Sequence, residues 1–217
     1  MKPINPGENM RRLFNLENPV WRFIGNIIDM FLLSVYWYVC CLPVVTTGSG
    51  TTALYYVTLK LSSNQEGYTT SSFFHSFKSN FKQATVIWLL CLLAGAVIVI
   101  DFYWVLTSGS VIGASLLPAI VIISILYLVF TAFIFPLLAR CDNSTKNLLG
   151  MCVSLSIRNF LPVLSTLIVT IAIFSIGLFV TWPVLLIAPG VSAYLNSYIF
   201  NHILTKYNLN LPVIYDE

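Results

Sequence analysis

The stretch Cys40–Tyr56, CCLPVVTTGSGTTALYY, ends one long apolar segment and reverses the direction of the chain. The apolar segment before it, residues 21–43, has about the length of a helix that crosses a hydrocarbon core of ~30 Å. Pro43 donates no backbone hydrogen bond and disfavours helical geometry at the residue before it, so we expect the first helix to end there. Gly48 and Gly50, among threonines and a serine, favour a turn at the membrane surface. The stretch therefore predicts a turn between two membrane helices, with a functional re-entrant loop as the alternative.

Composition places the chain among membrane proteins. Of its 217 residues, 58% are hydrophobic and 9% are charged, and the formal net charge is +3. A soluble core of this size could not bury so much apolar surface. The five cysteines form no CxxC pair and no Cys/His cluster, so we interpret them as small apolar side chains. A redox role for the adjacent Cys40 and Cys41 is the alternative.

Hydropathy and turn residues predict an all-α, polytopic integral membrane protein that forms a single membrane domain over residues 1–217. Two of its six predicted transmembrane helices are short and begin near Pro43 and Pro183. Pro189 and Gly190 are predicted to form a broken turn that resembles the one around Gly50. The six spans cover approximately residues 21–43, 44–61, 84–106, 111–138, 160–182 and 184–204.

The positions of the basic residues select this topology. If the short segments after Pro43 and Pro183 did not cross, the four remaining spans would leave the central lysines and arginines outside. Six spans place every lysine and arginine on one side, as the cytoplasmic bias of these residues requires. We therefore expect a multi-pass protein of the cell membrane with both termini in the cytoplasm. The basic residues are Lys2, Arg11, Arg12, Arg22, Lys60, Lys78, Lys82, Arg140, Lys146, Arg158 and Lys206.

Two polar connections lie on the predicted cytoplasmic side. The first, Ser72–Gln83, has phenylalanines at helical spacing opposite histidine, serine and lysines, which predicts an amphipathic helix in the membrane interface. Its phenylalanines would face lipid, and a partner-docking face is the alternative. The second, Arg140–Asn159, predicts a short helix that Asp142, Asn143 or Ser144 could cap. The amphipathic residues are Phe73, Phe74, Phe77 and Phe81 on one side, and His75, Lys78, Ser79 and Lys82 on the other.

Two carboxylates are the candidates for chemistry inside the membrane. Asp29 lies within the first span and Asp101 near the outer end of the third. A carboxylate at such a depth is costly unless it is paired, hydrogen-bonded or protonated, so it serves either as a proton or cation relay or as a polar contact between helices. We favour the second role. The expected partners of Asp29 are the neighbours Asn26 and Ser34, with Arg22 or threonine and tyrosine side chains of packed helices as the alternative.

No pattern in the chain indicates an enzyme. It has no GxSxG, HExxH, phosphate-binding or dinucleotide-binding motif in a suitable context. His75 and His202 lack ligand-like neighbours, which argues against a metal site, and no cofactor is expected. The basic residues form no patch interleaved with aromatic residues, which argues against nucleic-acid binding.

Several stretches together resemble a known family. They are Asn18-Pro19 with Trp21, Leu42-Pro43-Val44-Val45-Thr46-Thr47-Gly48, Ala53-Leu54-Tyr55, the segment from Phe73 to Ala84, and Pro136-Leu137-Leu138-Ala139-Arg140 with Asp142. This set is similar to the YesL-like family, small integral membrane proteins of Gram-positive bacteria that carry a domain of unknown function.

The resemblance implies a role in carbohydrate uptake, because members are often encoded beside ATP-driven sugar transporters, their binding proteins and glycoside-degrading enzymes. It implies an accessory or regulatory protein whose partner is the permease of a sugar ABC transporter, and it carries over no catalytic residues. Ser72–Gln83 and Arg140–Asn159 are the candidate contact surfaces. The rival hypothesis is a small solute transporter or channel, with Asp29, Asp101 and the turns near Pro43 and Pro189 along its path.

Overall fold

The computed structural model of the chain describes residues 19–63, 68–108, 111–141, 143–179 and 183–207. Within these ranges every regular element is helical, which confirms the predicted all-α class. The elements are α1 (Pro19–Cys41), a 3-10 turn (Val44–Thr46), α2 (Thr47–Ser62), α3 (Thr69–Ser108), α4 (Val111–Leu138), α5 (Thr145–Arg158), α6 (Phe160–Phe179) and α7 (Pro183–Lys206).

Four of the helices are long and apolar enough to cross a membrane: α3, the Ser115–Leu138 part of α4, α6 and α7. They match the last four predicted spans, apart from residues 180–182, which lie outside the described residues. In α1 a shorter apolar segment, Gly25–Cys41, follows the same pattern. The protein is thus helical, and the length and composition of these helices suit a lipid bilayer. The crossings predicted for residues 21–43 and 44–61 stay predictions.

Helix α3 joins two segments that the sequence predicts to be separate. The predicted interfacial helix Ser72–Gln83 and the predicted span 84–106 form one continuous helix of 40 residues. Neither proline nor glycine lies between Thr69 and Ala94, so nothing in the chain breaks the backbone hydrogen bonding where the composition changes.

The buried core lies where α2 packs against α3 and α7. Tyr55 of α2 and Phe133 of α4 both contact Phe200 of α7, each with 5.6 Å between ring centroids. Phe133 and Phe200 are fully buried. Around this centre, α1 packs against α7, α6 packs against α7, and α3 and α5 both pack against α4. The aromatic cluster therefore joins three helices that are distant in sequence.

The predicted turn at Pro43 is confirmed. Helix α1 ends at Cys41, Pro43 has extended backbone geometry, and the 3-10 turn follows it. The hydroxyl of Thr46 donates to the carbonyl of Pro43 (2.8 Å). The indole nitrogen of Trp88 in α3 donates to the carbonyl of Val44 (2.7 Å). The turn is thus fastened to α3.

The prediction that Gly48 and Gly50 form this turn is wrong, because both lie in the first turns of α2. A Cβ atom on Gly48 would lie 2.6 Å from Cβ of Trp88 and 2.7 Å from the carbonyl oxygen of Ala84. One on Gly50 would lie 3.0 Å from Cβ of Cys40. These glycines let α2 approach α3 and α1 closely, and they do not form the turn.

The predicted broken turn at Pro189 and Gly190 is also wrong, since both residues lie inside α7. A Cβ atom on Gly190 would lie 2.7 Å from Oγ of Ser34 and would also meet the carbonyl of Met30 in α1. The amide of Gly190 instead donates to Oγ of Ser34 (2.9 Å). The glycine therefore marks the crossing of α7 and α1. Pro183 begins α7, as predicted and as the first position of a helix favours.

Candidate partner-binding surface

The N-terminal half of α3 exposes aromatic rings and lysines on the same side of the helix. Phe74 is 42% exposed and Phe81 is 37% exposed, and Lys78 and Lys82 are exposed beside them. These positions are three or four residues apart and so lie along one face of the helix. We call these four residues the α3 face.

The sequence predicts that the four phenylalanines share one side of α3. In the structure they do not. Phe73 is fully buried, with its ring centroid 5.6 Å from that of Tyr36 in α1, and Phe77 is half-buried against the core. Helices α1 and α2 cover this side of α3, so it faces protein where the prediction placed lipid. Phe74 lies near the same tyrosine (5.4 Å between centroids) but on the exposed side. His75 is exposed as well.

The α3 face adjoins the second predicted contact surface. The side-chain amide of Gln83 donates to the backbone carbonyl of Asn143 (2.8 Å) and so ties α3 to the connection between α4 and α5. An open, polar cavity of about 370 Å³ lies beside this contact. Its walls are Lys82, Gln83, Val86, Asn143, Ser144 and Thr145. Segments 60 residues apart thus form one continuous surface.

Helix α5 begins at Thr145, with Ser144 in the cap position that the sequence allowed for it. The Ser144 hydroxyl makes no capping hydrogen bond, and its carbonyl accepts the amide of Leu148 (2.9 Å). Asp142, another of the three predicted caps, lies outside the described residues.

A buried arginine organises the region behind this surface. Arg140 is 8% exposed, and its guanidinium donates to the side-chain oxygen of Asn201 in α7. The amide of Asn201 in turn donates to Oγ of Ser62 (2.6 Å), Oγ of Ser63 (3.0 Å) and the carbonyl of Leu59 (3.1 Å). The C-terminal ends of α2 and α4 therefore meet on α7 through one amide.

The charge of Arg140 is balanced by helix ends and hydrogen bonds. Burial lowers the pKa of the guanidinium from its ordinary value, with a smaller opposing effect from Cys141. The partial negative charge at the C-termini of α2 and α4 favours a cation at this point. Nε of Arg140 is buried without a hydrogen-bond partner among the described residues. The arrangement serves to hold three helices together.

The two carboxylates predicted to lie inside the membrane do not meet. Asp29 is half-buried on α1, and it has no hydrogen bond or ion pair with any residue that the structure describes. Its expected partner Ser34 instead donates to the carbonyl of Met30 (2.8 Å) and accepts from Gly190. Asp101 is exposed on the part of α3 that packs against α4. Among the described residues, neither carboxylate therefore has the other as a partner for proton transfer.

Three of the five cysteines, Cys91, Cys141 and Cys152, are buried, and the other two are half-buried. No group of three His, Cys, Asp or Glu side chains that could hold a metal occurs in the ranges described above. His202, like His75, is exposed. Burial raises the pKa of the Cys152 thiol to about 12, so this cysteine is protonated at physiological pH and unreactive.

Residues 30–102 match the family model described as "Protein of unknown function, DUF624". This match confirms the resemblance predicted from the sequence. It covers about half of α1, the Val44–Thr46 turn, α2 and all of α3 except its C-terminal end, and so includes the whole α3 face. No curated protein and no solved structure matches the chain.

The role of Asn201 was missed by sequence reasoning. Its partners Ser62 and Arg140 are 139 and 61 residues away, and no local pattern connects them. One signal was present: α7 carries Asn196 and Asn201 although it is long and apolar enough to cross a membrane, and polar residues in such a helix usually face other helices. Asn196 follows this rule, since its amide donates to Oγ1 of Thr170 in α6 (2.9 Å).

Proposed function

We propose that this chain is a non-enzymatic accessory protein of the bacterial cell membrane that binds another membrane protein through the α3 face and the adjoining α4–α5 connection. The observation that carries the proposal is the exposure of Phe74 and Phe81 next to Lys78 and Lys82. Aromatic side chains are enriched in protein interfaces, and nearby charges select the partner. The surface therefore suits a partner with apolar pockets and acidic residues.

The partner that we propose is the permease of a sugar ABC transporter. This choice, and the role in carbohydrate uptake or its regulation, rest on the resemblance to the YesL-like family. The face itself supports only a protein partner near the cytoplasmic membrane surface, where the bias of basic residues places Lys78 and Lys82.

The proposed orientation has both termini in the cytoplasm. Both termini lie in the cytoplasm if the chain crosses the membrane six times, and also if only α3, α4, α6 and α7 cross it. The two counts give the same orientation because α1 and α2 form a hairpin, which adds either two crossings or none. In both cases every lysine and arginine stays on the cytoplasmic side. The hydrogen bond between Trp88 and Val44 favours the smaller count, since it fastens the α1–α2 turn near the start of the apolar half of α3. Labelling a cysteine introduced at Val45 with an impermeant thiol reagent from outside intact cells would show that the α1–α2 turn lies outside. That result would establish six crossings.

The alternative function is a small solute transporter or channel that uses Asp29 and Asp101. Close helix packing at Gly48 and Gly190 and the separation of the two carboxylates favour the accessory role. We predict that Asp29→Asn leaves expression and function unchanged, because Asp29 has no partner to lose among the described residues. Loss of substrate flux into proteoliposomes in this variant, with normal expression, would establish the transporter.

The direct test is affinity purification from native membranes in mild detergent, followed by mass spectrometry. We expect the wild-type chain to recover a sugar-transporter permease in stoichiometric amount. The double variant Lys78→Glu/Lys82→Glu should lose it, while Lys206→Glu, an exposed lysine on α7, should keep it. A wild-type protein that purifies alone, and whose liposomes transport a solute, would contradict the accessory role.

A further inference from the structure

An apolar groove of about 560 Å³ lies between the α3–α4 pair and the junction of α5 and α6. Residues such as Ala94, Val97, Leu126, Phe130, Val153 and Ile157 line it. It lies apart from the α3 face and takes no part in the proposed partner binding. We propose that this groove binds one acyl chain of an anionic phospholipid, whose phosphate interacts with Arg158.

The lining accepts hydrocarbon and offers nothing to a polar ligand. Tyr127 and Ser156 are the two lining residues with hydroxyl groups. The Tyr127 hydroxyl donates to the carbonyl of Cys91 (2.9 Å), and Oγ of Ser156 lies 3.8 Å from Sγ of Cys152. With these groups engaged inside the protein, burial of apolar surface is the main source of affinity in the groove.

The surroundings of the groove indicate the source of its occupant. Three of its four walls, α3, α4 and α6, are helices suited to cross a membrane. The lining residues Val97, Val153 and Ile157 are 57%, 48% and 67% exposed, so the groove opens sideways from the protein. A groove that opens between membrane helices faces acyl chains, and a ligand dissolved in water would have to cross lipid to reach it.

Arg158 supplies the charge that selects the headgroup. It is the last residue of α5, its side chain is exposed, and it directly follows the lining residue Ile157. Helix α6 begins two residues later at Phe160, which also lines the groove. A basic residue just before a membrane helix on the cytoplasmic side lies at headgroup depth and attracts anionic lipid. The groove and Arg158 therefore match the two ends of one phospholipid.

The test uses the full-length protein in phosphatidylcholine vesicles that contain a small fraction of phosphatidylglycerol with a photoreactive acyl chain. We expect the cross-link to map to the groove and to be displaced by unlabelled phosphatidylglycerol better than by phosphatidylcholine. Inorganic phosphate should not displace it. Arg158→Gln should lower the preference for phosphatidylglycerol roughly fivefold, whereas Lys146→Gln, in the first turn of the same helix, should not change it.

Two further variants fill the groove from opposite walls. Ala94→Phe and Val153→Trp should each reduce cross-linking by both lipids, while Leu178→Phe on the exposed side of α6 should leave it unchanged. Cross-links spread evenly over α3 and α6 in the wild type would overturn the proposal. So would displacement by phosphate, or a protein that occupies the groove and excludes lipid.

Discussion

The two halves of α3 belong to the same helix but have different surroundings. From Thr69 to Trp88, α3 packs against α2 and buries Phe73, Ala84 and Ile87 while it exposes lysines. From Leu89 to Ser108 it packs mainly against α4 and leaves apolar side chains such as Leu93 (66% exposed) uncovered. The first half is a conventional protein surface over a core, and the second is suited to contact lipid.

This difference shows that exposure has opposite meanings along one helix. Exposed Phe74 lies among lysines and belongs to the surface that we propose for a partner. Exposed Leu93 among apolar neighbours marks a surface for acyl chains. The boundary lies near Trp88, whose indole bonds to the α1–α2 turn. A tryptophan at such a boundary is typical of the membrane interface.

The largest expected effect comes from a charge placed in the apolar half. Leu93→Asp should cost about 2.5–3.5 kcal/mol of membrane insertion if the residue lies near the centre of the bilayer. Phe74→Asp should leave insertion unchanged because position 74 lies outside the hydrocarbon. Alkaline extraction of membranes, with immunoblotting of the pellet, measures both. Equal extraction of the two variants would refute the division of α3 into two environments.

The next effect compares Gly48 of α2, which packs against the first half of α3, with Gly95 in the second half of α3. Gly48→Ala should lower the free energy of unfolding by about 1–3 kcal/mol, because its Cβ would meet Cβ of Trp88 and backbone of Ala84, which cannot turn aside. Gly95→Ala should be nearly neutral. Its Cβ would meet only the end of the Tyr127 side chain, 2.8 Å away, and the gain in helix propensity offsets a weakened hydrogen bond.

Thermal aggregation in detergent, followed by size-exclusion chromatography, measures both glycine variants. Gly150→Ala is the control, because nothing lies within 4 Å of its Cβ, and it should raise stability slightly. A Gly48→Ala protein as stable as Gly150→Ala would show that α2 does not approach α3 closely.

An effect of similar size is expected at the junction behind the α3 face. Asn201→Leu removes the acceptor of Arg140 and the donor to Ser62, and it should lower the free energy of unfolding by roughly 1.5–3 kcal/mol, as for hydrogen bonds to charged groups. His202→Leu changes the exposed neighbouring residue and should have little effect. Denaturant titration in mixed micelles compares the two. An unaffected Asn201→Leu protein would mean that Arg140 is stabilised without Asn201.

Local patterns in the sequence predicted the helices and the turn well. Pro43 and Pro183 end or begin helices because proline acts on its immediate backbone. The four long apolar segments became helices because their length and composition leave no other way to satisfy backbone groups in lipid. Such features depend only on residues that are neighbours along the chain, so a single sequence is enough to predict them.

Features that depend on distant residues could not be predicted. Gly48 and Gly190 have the local character of turn residues, and only the approach of Trp88 or Met30 from other helices shows why glycine is needed. Helical spacing placed Phe73 on an apolar face but could not show that α1 covers it. The segment that carries the α3 face was predicted, but its phenylalanines and lysines were expected on opposite sides of the helix, and its contact with Asn143 depended on the path of α4.

If the polar half of α3 contacts a protein and the apolar half contacts lipid, the two halves should form different cross-links. A photoreactive amino acid placed at Phe81 or at Leu93 in the full chain, with irradiation in native membranes, measures this difference. We expect a discrete protein adduct, a sugar-transporter permease, from position 81 and only lipid adducts from position 93. Lipid adducts alone from both positions, or the same protein adduct from both, would contradict this expectation.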